Sequence, residues 1–398
     1  MLDLGIFTVP LLGAMSVFLV AFFTGDAISF DDISTPADMQ WNGYDTHVVT
    51  RLLLDDLRAL NEDAQSEAAG LAVDASYVDQ SLGQYADYFG IGRLVDTTRN
   101  LVGANQYYIS SEIAHSGEKI VYTARLYTPK SDIPVDTVQV EGDPLNPAPM
   151  LQEAALELLT DISPYIVALH YFKQETQAYL AEENADKAGQ TDASKPKRAT
   201  AANLNEATAD ERWSYPKSRA ILRQHIETPP PDNNYLAYDL VGRMHRMRAE
   251  NAGALTADQR HGELQEAVKD LTAALRQNPD FLYSNFVLGV VYEDLQDYAN
   301  AETYFAKAAR IDPNFLPVRQ HWARMLAGQG RTREAIFQYV AAVEIDPASP
   351  DLRDKLAELY FKLNYTDAAL TQWQVAESLD PTNGHFQEML DKSKPKSP

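Results

Sequence analysis

A spacing of 34 residues in the last third of the chain constrains its fold more than any other feature. Prolines recur at that interval, at Pro279, Pro313, Pro347 and Pro381. Each proline closes a similar pair of amphipathic segments. A residue that precedes proline is pushed out of the helical region, so the Asn-Pro and Asp-Pro pairs at these sites predict helix ends. The period therefore predicts repeated helix pairs of one size.

Residue size within residues 288–313 supports paired helices. Small residues stand where two helices would approach closely, and large residues stand between them. The small residues are Gly289, Ala301 and Ala308. The large residues are Leu288, Tyr292, Tyr304 and Phe305.

This pattern resembles the tetratricopeptide repeat, which runs aromatic, Leu-Gly, Tyr, Ala, aromatic, Ala, Pro. Residues 314–347 carry Trp322, Ala323, Leu326, Ala335, Tyr339, Ala342 and Pro347, and residues 348–381 carry Leu356, Ala357, Tyr360, Ala369, Trp373, Ala376 and Pro381. A further copy, with an insertion between its helices, carries Val241, Gly242, His245, Ala267, Leu271, Ala274 and Pro279. The resemblance implies a mainly α chain that ends in a helical solenoid over residues 234–381. The alternative is an irregular helical bundle.

Composition limits the partners. The 398 residues are 45% hydrophobic, enough for two or three domains. The net charge is −23, and residues 1–150 hold 7 Lys and Arg against 21 Asp and Glu. Such a surface repels phosphate backbones, so we expect no nucleic-acid partner. The absence of cysteine excludes disulfides and thiolate sites.

The chain begins with an apolar stretch, residues 4–23, that holds no charged residue. Its length is that of one membrane-spanning helix, and we predict an anchor over residues 1–25. The competing interpretation is a signal peptide cut after Ala27. A basic leading region is missing and the apolar stretch is long for a signal, which favours an uncleaved anchor. Because no Lys or Arg follows before Arg51, we expect the bulk of the chain in the periplasm of a bacterium, with the cytoplasm as the alternative.

A linker over residues 26–44 and a small α/β module over residues 45–160 are predicted next. Helical spacing marks residues 47–64, 89–102 and 150–172, and β-type alternation marks residues 107–115, 119–128 and 137–142. The module resembles the front domain of TolB-type bacterial tetratricopeptide proteins, through Gly103, Tyr108, Glu112, Ile113, Gly117 and residues 123–126. That resemblance implies an assembly domain without an active site.

The middle of the chain, residues 161–233, is predicted to be a degenerate helical pair. Its helices would be residues 162–180 and 215–227. Residues 181–212 between them hold few large apolar side chains, so we expect a mobile insertion. Residues 382–398 are predicted to be a tail.

A search for catalytic chemistry yields little. No two of the eight histidines are three or four residues apart, so no helix presents two imidazoles to one metal. Phosphate loops, nucleophile elbows and calcium loops are absent from the sequence. The neighbouring carboxylates at positions 31–32, 55–56 and 182–183 are typical of solvated surfaces. We therefore expect no enzyme activity, no cofactor and no metal.

The resemblance implies that the first helix of each pair lines a protein-binding groove. Residues that would point outward there are Leu236, Asp239, Arg243 and Arg246, then Tyr283, Phe286, Val290 and Glu293, then Gln320 and Arg324, then Asp351, Asp354 and Glu358. The predicted binding set is Arg243, Arg246, Tyr283, Phe286, Val290, Gln320 and Arg324. It would suit a segment with an aromatic or aliphatic anchor and an acidic neighbour. The alternative is that Tyr283 and Phe286 pack on the preceding repeat.

Three functions are compatible with this organisation. The leading one is a membrane-anchored scaffold that assembles a bacterial envelope complex through protein contacts. The second is an accessory subunit of an enzyme or transport complex, whose α/β module binds a small ligand. A catalytic domain hidden in residues 45–160 is disfavoured by the missing site residues.

Overall fold

A computed structural model describes residues 28–67, 107–128, 133–187, 214–227, 234–253 and 255–393. The chain divides into two compact units, residues 1–171 and residues 172–398. The described strands lie in the first unit, and the repeated helix pairs lie in the second.

The first unit contains a four-stranded sheet. Its strands are β1 (Ile28–Phe30), β2 (Tyr107–Ser116), β3 (Lys119–Tyr127) and β4 (Asp136–Gly142). They lie in sequence order, with β1 parallel to β2 and the other pairs antiparallel. Gly117 has a φ of 66°, which suits glycine in the tight turn between β2 and β3. The three predicted strands are confirmed.

Three helices lie entirely within the described part of this unit: α1 (Ala37–Trp41), α2 (Thr46–Glu67) and α3 (Ala148–Ile162). Helix α3 packs against α2 and β4. The prediction of a linker over residues 26–44 is wrong from residue 28 onward, because β1 joins the sheet and α1 follows it. Ile33 and Met39 in this segment are fully buried, so the segment belongs to the core.

The predicted helix over residues 150–172 is two helices. Helix α3 ends at Ile162, and helix α4 (Pro164–Lys187) begins after Ser163. The ring of Pro164 removes a backbone donor and disfavours a helical conformation at Ser163, which explains the break. Helix α4 also continues beyond residue 180, where the sequence predicts an insertion.

The two helices predicted for the middle of the chain are present as α4 and α5 (Pro216–Glu227). Helix α5 begins beside α4, where the carboxylate of Glu175 accepts hydrogen bonds from Lys217 N at 3.0 Å and Ser218 Oγ at 2.8 Å. Glu175 thus satisfies donors at the start of another helix, as a capping residue does. The buried ring of Tyr215 packs against Phe172, with ring centres 4.9 Å apart.

Nine further helices form the rest of the second unit among the described residues. They are α6 (Asn234–Asn251), α7 (Ala257–Gln277), α8 (Leu282–Asp294), α9 (Tyr298–Ile311), α10 (Leu316–Gly328), α11 (Thr332–Ile345), α12 (Pro350–Lys362), α13 (Thr366–Leu379) and α14 (Gly384–Ser393). The pairs α6–α7, α8–α9, α10–α11 and α12–α13 each pack closely. The repeated helix pairs predicted from the proline spacing are confirmed.

The repeat is also visible in the backbone. Gln296, Gly330 and Asn364 each follow a first helix and have φ values of 62°, 77° and 61°. The same left-handed turn thus recurs every 34 residues. Ala301, Ala335 and Ala369, at equivalent positions in the second helices, are all fully buried.

No helix among the described residues is long and apolar enough to cross a membrane. The predicted anchor at residues 4–23 and the predicted helix at residues 89–102 lie outside those residues. So does the insertion from residue 188 to residue 212, and so do tail residues 394–398. Residues 384–393, predicted to be part of the tail, form helix α14.

Candidate functional site

Contacts between side chains connect successive first helices of the repeats. Ser284 Oγ on α8 donates to Asp239 on α6 at 2.7 Å, and Arg246 on α6 lies 3.5 Å from a carboxylate oxygen of Asp294 on α8. Glu293 on α8 in turn lies 3.7 Å from Arg324 on α10. We call the surface that these first helices share the first-helix face. Its members are Arg243, Arg246, Tyr283, Phe286, Glu293, Gln320, His321 and Arg324.

A row of aromatic rings follows the face from one repeat to the next. The ring of Tyr283 lies 5.5 Å from the ring of Phe315, and Phe286 lies 5.3 Å from the rings of both Phe315 and His321. These edge-to-face distances are favourable for aromatic pairs. Tyr283 and Phe286 are half-buried. Both residues therefore pack against the following repeat, and Phe286 also packs against the apolar cluster that includes Leu264 and Leu271 of the preceding repeat.

Two of the three predicted groove arginines have partners within the chain. The guanidinium of Arg243 lies 5.2 Å from the ring centre of Phe172, a cation–π distance. Arg246 is bonded to Glu250 at 2.9 Å and lies 3.5 Å from Asp294, and only 18% of its side chain is exposed. Two carboxylates thus offset the charge of Arg246, and the ring of Phe172 packs against the guanidinium of Arg243.

Arg324 differs, because 62% of its side chain is exposed. Its guanidinium donates to Nδ1 of His321 at 2.8 Å. Since arginine only donates, Nδ1 of His321 must accept and the ring proton must lie on Nε2. The same Nδ1 lies 3.7 Å from Oε2 of Glu293 and cannot donate to it. Within the described chain, Glu293 Oε2 is buried without a hydrogen bond.

Several residues predicted to point outward are buried instead. Val290 is 2% exposed and joins the apolar cluster around Phe305, so its assignment to the groove is wrong. Leu236 and Asp239 are also buried. The physical reason is that one edge of each first helix packs against its neighbour, which spacing along a single helix does not reveal. Gln320 is half-buried.

Sequence reasoning missed His321. The residue occupies no position of the repeat pattern, although it lies next to Gln320 and three residues before Arg324, which are both in the predicted binding set. Its contacts with Phe286, Glu293 and Arg324 arise from helix packing between two repeats. Its position between two predicted groove residues is the signal in the sequence that could have found it.

The first unit holds a second candidate site. A shallow cavity of about 260 Å³, open to solvent, is lined by Asp136, Thr137, Val138, Glu157, Thr160 and Asp161. Burial and a hydrogen bond with Asp136 raise the pKa of Asp161 to about 6. Burial also raises the pKa of Glu157. The lining is therefore acidic and holds a proton more tightly than isolated carboxylates would.

Comparison with known protein families agrees with the repeats. Residues 254–314 match the family model described as a tetratricopeptide repeat. The structure is similar to YrrB, a TPR protein with an unusual peptide-binding site, at 20% identity and a TM-score of 0.35, covering 44% of this chain and 83% of that one. MamA from Desulfovibrio magneticus RS-1 matches at 20% identity and a TM-score of 0.32, covering 38% and 82%. A thermophilic TPR protein of Thermus thermophilus matches at 19% identity and a TM-score of 0.32, covering 46% and 90%. No curated protein sequence matches the chain.

Proposed function

We propose that this chain, whose second unit is built from tetratricopeptide repeats, is a scaffold that binds a segment of another protein on its first-helix face. The observation that carries the proposal is Glu293 Oε2, a buried carboxylate oxygen without a hydrogen bond, beside the exposed Arg324. A buried acceptor without a donor costs roughly 1–3 kcal/mol. A backbone N–H from a bound segment would remove that cost.

The chemistry of the partner follows from the groups around Glu293. Arg324 offers exposed donors for a carboxylate, and Phe286 and Tyr283 offer half-buried apolar surface. We therefore propose an extended or helical segment with an aromatic or aliphatic anchor and an acidic residue next to it. Arg243 and Arg246 contribute less than the sequence implies, because Phe172, Glu250 and Asp294 already engage them.

The test reverses the charge of the side chain at position 324. Proteins that co-purify with the intact chain in mild detergent are identified, and their affinity is measured for the wild type and for Arg324→Glu. We expect at least a tenfold loss, about 1.4 kcal/mol, because the acidic residue of the partner would meet a carboxylate. The matched control is Arg333→Glu on α11, an exposed arginine of a second helix. Equal affinity for Arg324→Glu and the control would exclude the first-helix face as the binding site.

The place of the scaffold in the cell is also a proposal. Residues 4–23 would anchor the chain in the inner membrane with its bulk in the periplasm, and the complex it assembles would be an envelope complex. The charge-free length of the segment supports this. Mass spectrometry of the native protein tests it, since an amino terminus near Ile28 would show cleavage. Protease added after permeabilisation of the outer membrane should degrade most of the chain, and full protection would contradict a periplasmic location.

The α/β module is proposed to be an assembly domain of the TolB-type kind, without catalysis or nucleic-acid binding. The alternative is an accessory subunit whose module binds a small ligand, which would sit in the shallow acidic cavity around Asp161. Native mass spectrometry of the purified complex distinguishes the two. A retained small molecule that Asp161→Asn abolishes supports the alternative, and a complex of protein alone supports the scaffold.

A further inference from the structure

We infer that Asp354, Glu358 and His385 form a binding site for one divalent transition-metal ion. Each residue offers one ligand atom, and the three atoms lie within 4.8 Å of one another. A search of the sequence for two imidazoles on one helix does not reveal this set. Here a single imidazole on α14 faces two carboxylates on α12.

The positions of the ligands suit chelation. Asp354 and Glu358 are four residues apart on α12, so both side chains lie on one side of that helix. His385 Nε2 lies 3.3 Å from Asp354 Oδ1. Two ligands of a tetrahedral ion with bonds of about 2.1 Å are separated by roughly 3.4 Å. The Glu358 side chain is 41% exposed, so its carboxylate would approach the ion through a change of rotamer.

Asp354 is held in place by a group outside the set. Its side chain is only 10% exposed, and its Oδ1 accepts a hydrogen bond at 2.8 Å from Nε1 of the fully buried Trp373. Donors of this kind orient the carboxylate ligands of metal sites. A nine-tenths buried carboxylate that faces a second carboxylate and an imidazole also needs a cation nearby.

Lys355 supplies such a cation from within the chain. Its Nζ lies 3.0 Å from Glu358 and 3.9 Å from Asp354, and 52% of its side chain is exposed. An exposed lysine leaves such a position at little cost, because its ammonium is readily hydrated. The metal would therefore replace the ammonium.

The ligand types indicate the class of ion. One imidazole nitrogen and two carboxylate oxygens, with no sulfur, suit Zn²⁺ and similar divalent first-row ions. Three protein ligands leave a further coordination position for water. Metal binding would fasten α14 to α12 and stabilise the folded state in proportion to occupancy.

The test titrates Zn²⁺ into the untagged, chelator-treated full chain by calorimetry. We expect saturation at one ion per chain and a higher melting temperature with the metal. His385→Gln and Asp354→Asn should each weaken binding at least tenfold. Asparagine keeps an acceptor for Trp373, and circular dichroism checks that both variants fold. His261→Gln, which alters an exposed histidine on α7, is the matched control and should bind as the wild type does.

A second variant tests the exchange with lysine. Lys355→Met removes the competing ammonium and should bind Zn²⁺ several-fold more tightly, whereas equal or weaker binding would contradict the exchange. Absence of saturable binding in the wild type, or equal affinity in His385→Gln, would overturn the site. These titrations contain no partner protein. A failure to bind Zn²⁺ would therefore not count against the proposed binding of a protein segment to the first-helix face.

Discussion

Gly289 lies so close to Phe305 that no side chain fits between them. A Cβ atom on Gly289 would be 2.6 Å from Cδ1 of the Phe305 ring. The ring is fully buried and cannot turn aside without displacing its neighbours. At this crossing, the α-hydrogen of Gly289 on α8 therefore faces the ring of Phe305 on α9.

The first prediction follows from this contact. Gly289→Ala should lower the free energy of unfolding by about 1–3 kcal/mol, because the methyl group overpacks the helix interface. Urea unfolding measures the change. The matched control is Gly328→Ala at the end of α10, where a Cβ would meet no atom within 4 Å. Alanine there should be neutral or stabilising by up to about 1 kcal/mol, and equal losses in both variants would contradict the prediction.

The second prediction concerns the repeated turn. Gln296 has a φ of 62°, a conformation that is costly for a residue with a side chain. Gln296→Gly should therefore stabilise the second unit by about 1 kcal/mol. Gly330→Ala, at the equivalent turn with a φ of 77°, should destabilise it by about 1 kcal/mol or more. Changes of the same sign in the two variants would be inconsistent with a common turn.

The third prediction tests the repeat register. Ala335 is fully buried at the crossing of α10 and α11, so Ala335→Leu should cost about 1–3 kcal/mol through overpacking. Ala327→Leu, at a half-buried position on α10, is the comparison and should cost less. Thermal unfolding measures both. A melting temperature of Ala335→Leu equal to that of the wild type would mean that the register is wrong.

The fourth prediction concerns pH and the first unit. The pKa of Asp161 is raised to about 6 by burial and by Asp136, so the folded chain binds more protons than the unfolded chain between about pH 4 and pH 6. The contribution of Asp161 to the free energy of unfolding is fully present below about pH 4. It decreases as the pH rises from about 4 to about 6. Asp161→Asn should remove this fall and stabilise the chain by about 1 kcal/mol at pH 7, once solvent screening is allowed for.

The measurement for Asp161 is urea unfolding at several pH values between 4 and 7. Glu118→Gln, in the exposed turn between β2 and β3, removes the same charge and serves as the control. We expect Glu118→Gln to keep the decline of the wild type. An unchanged pH dependence in Asp161→Asn would show that the acidic cavity does not bind the proton in the folded state.

The repeat architecture could be predicted from the sequence because its causes are local. Proline ends a helix that precedes it in the chain, and small residues such as Ala301 and Ala335 are required at every close crossing. Strands β2, β3 and β4 were predictable for a similar reason, since alternation along one strand shows which face is buried. The break at Ser163 is also local, but the helical period continues across it and conceals it.

The sites depended on contacts between residues far apart in sequence. Val290 and Asp239 occupy positions that the repeat pattern assigns to a groove, yet neighbouring helices cover them. The short strand β1 was missed because three residues carry no readable period, and only pairing with β2 makes them a strand. The sequence by itself thus determined the helix pairs and strands β2, β3 and β4, because the period of each segment is visible in its own residues. Only the tertiary structure decided which charged side chains pair within the chain and which distant residues, such as Asp354 and His385, come into contact. The reason is that burial and pairing depend on how helices of different repeats pack against one another.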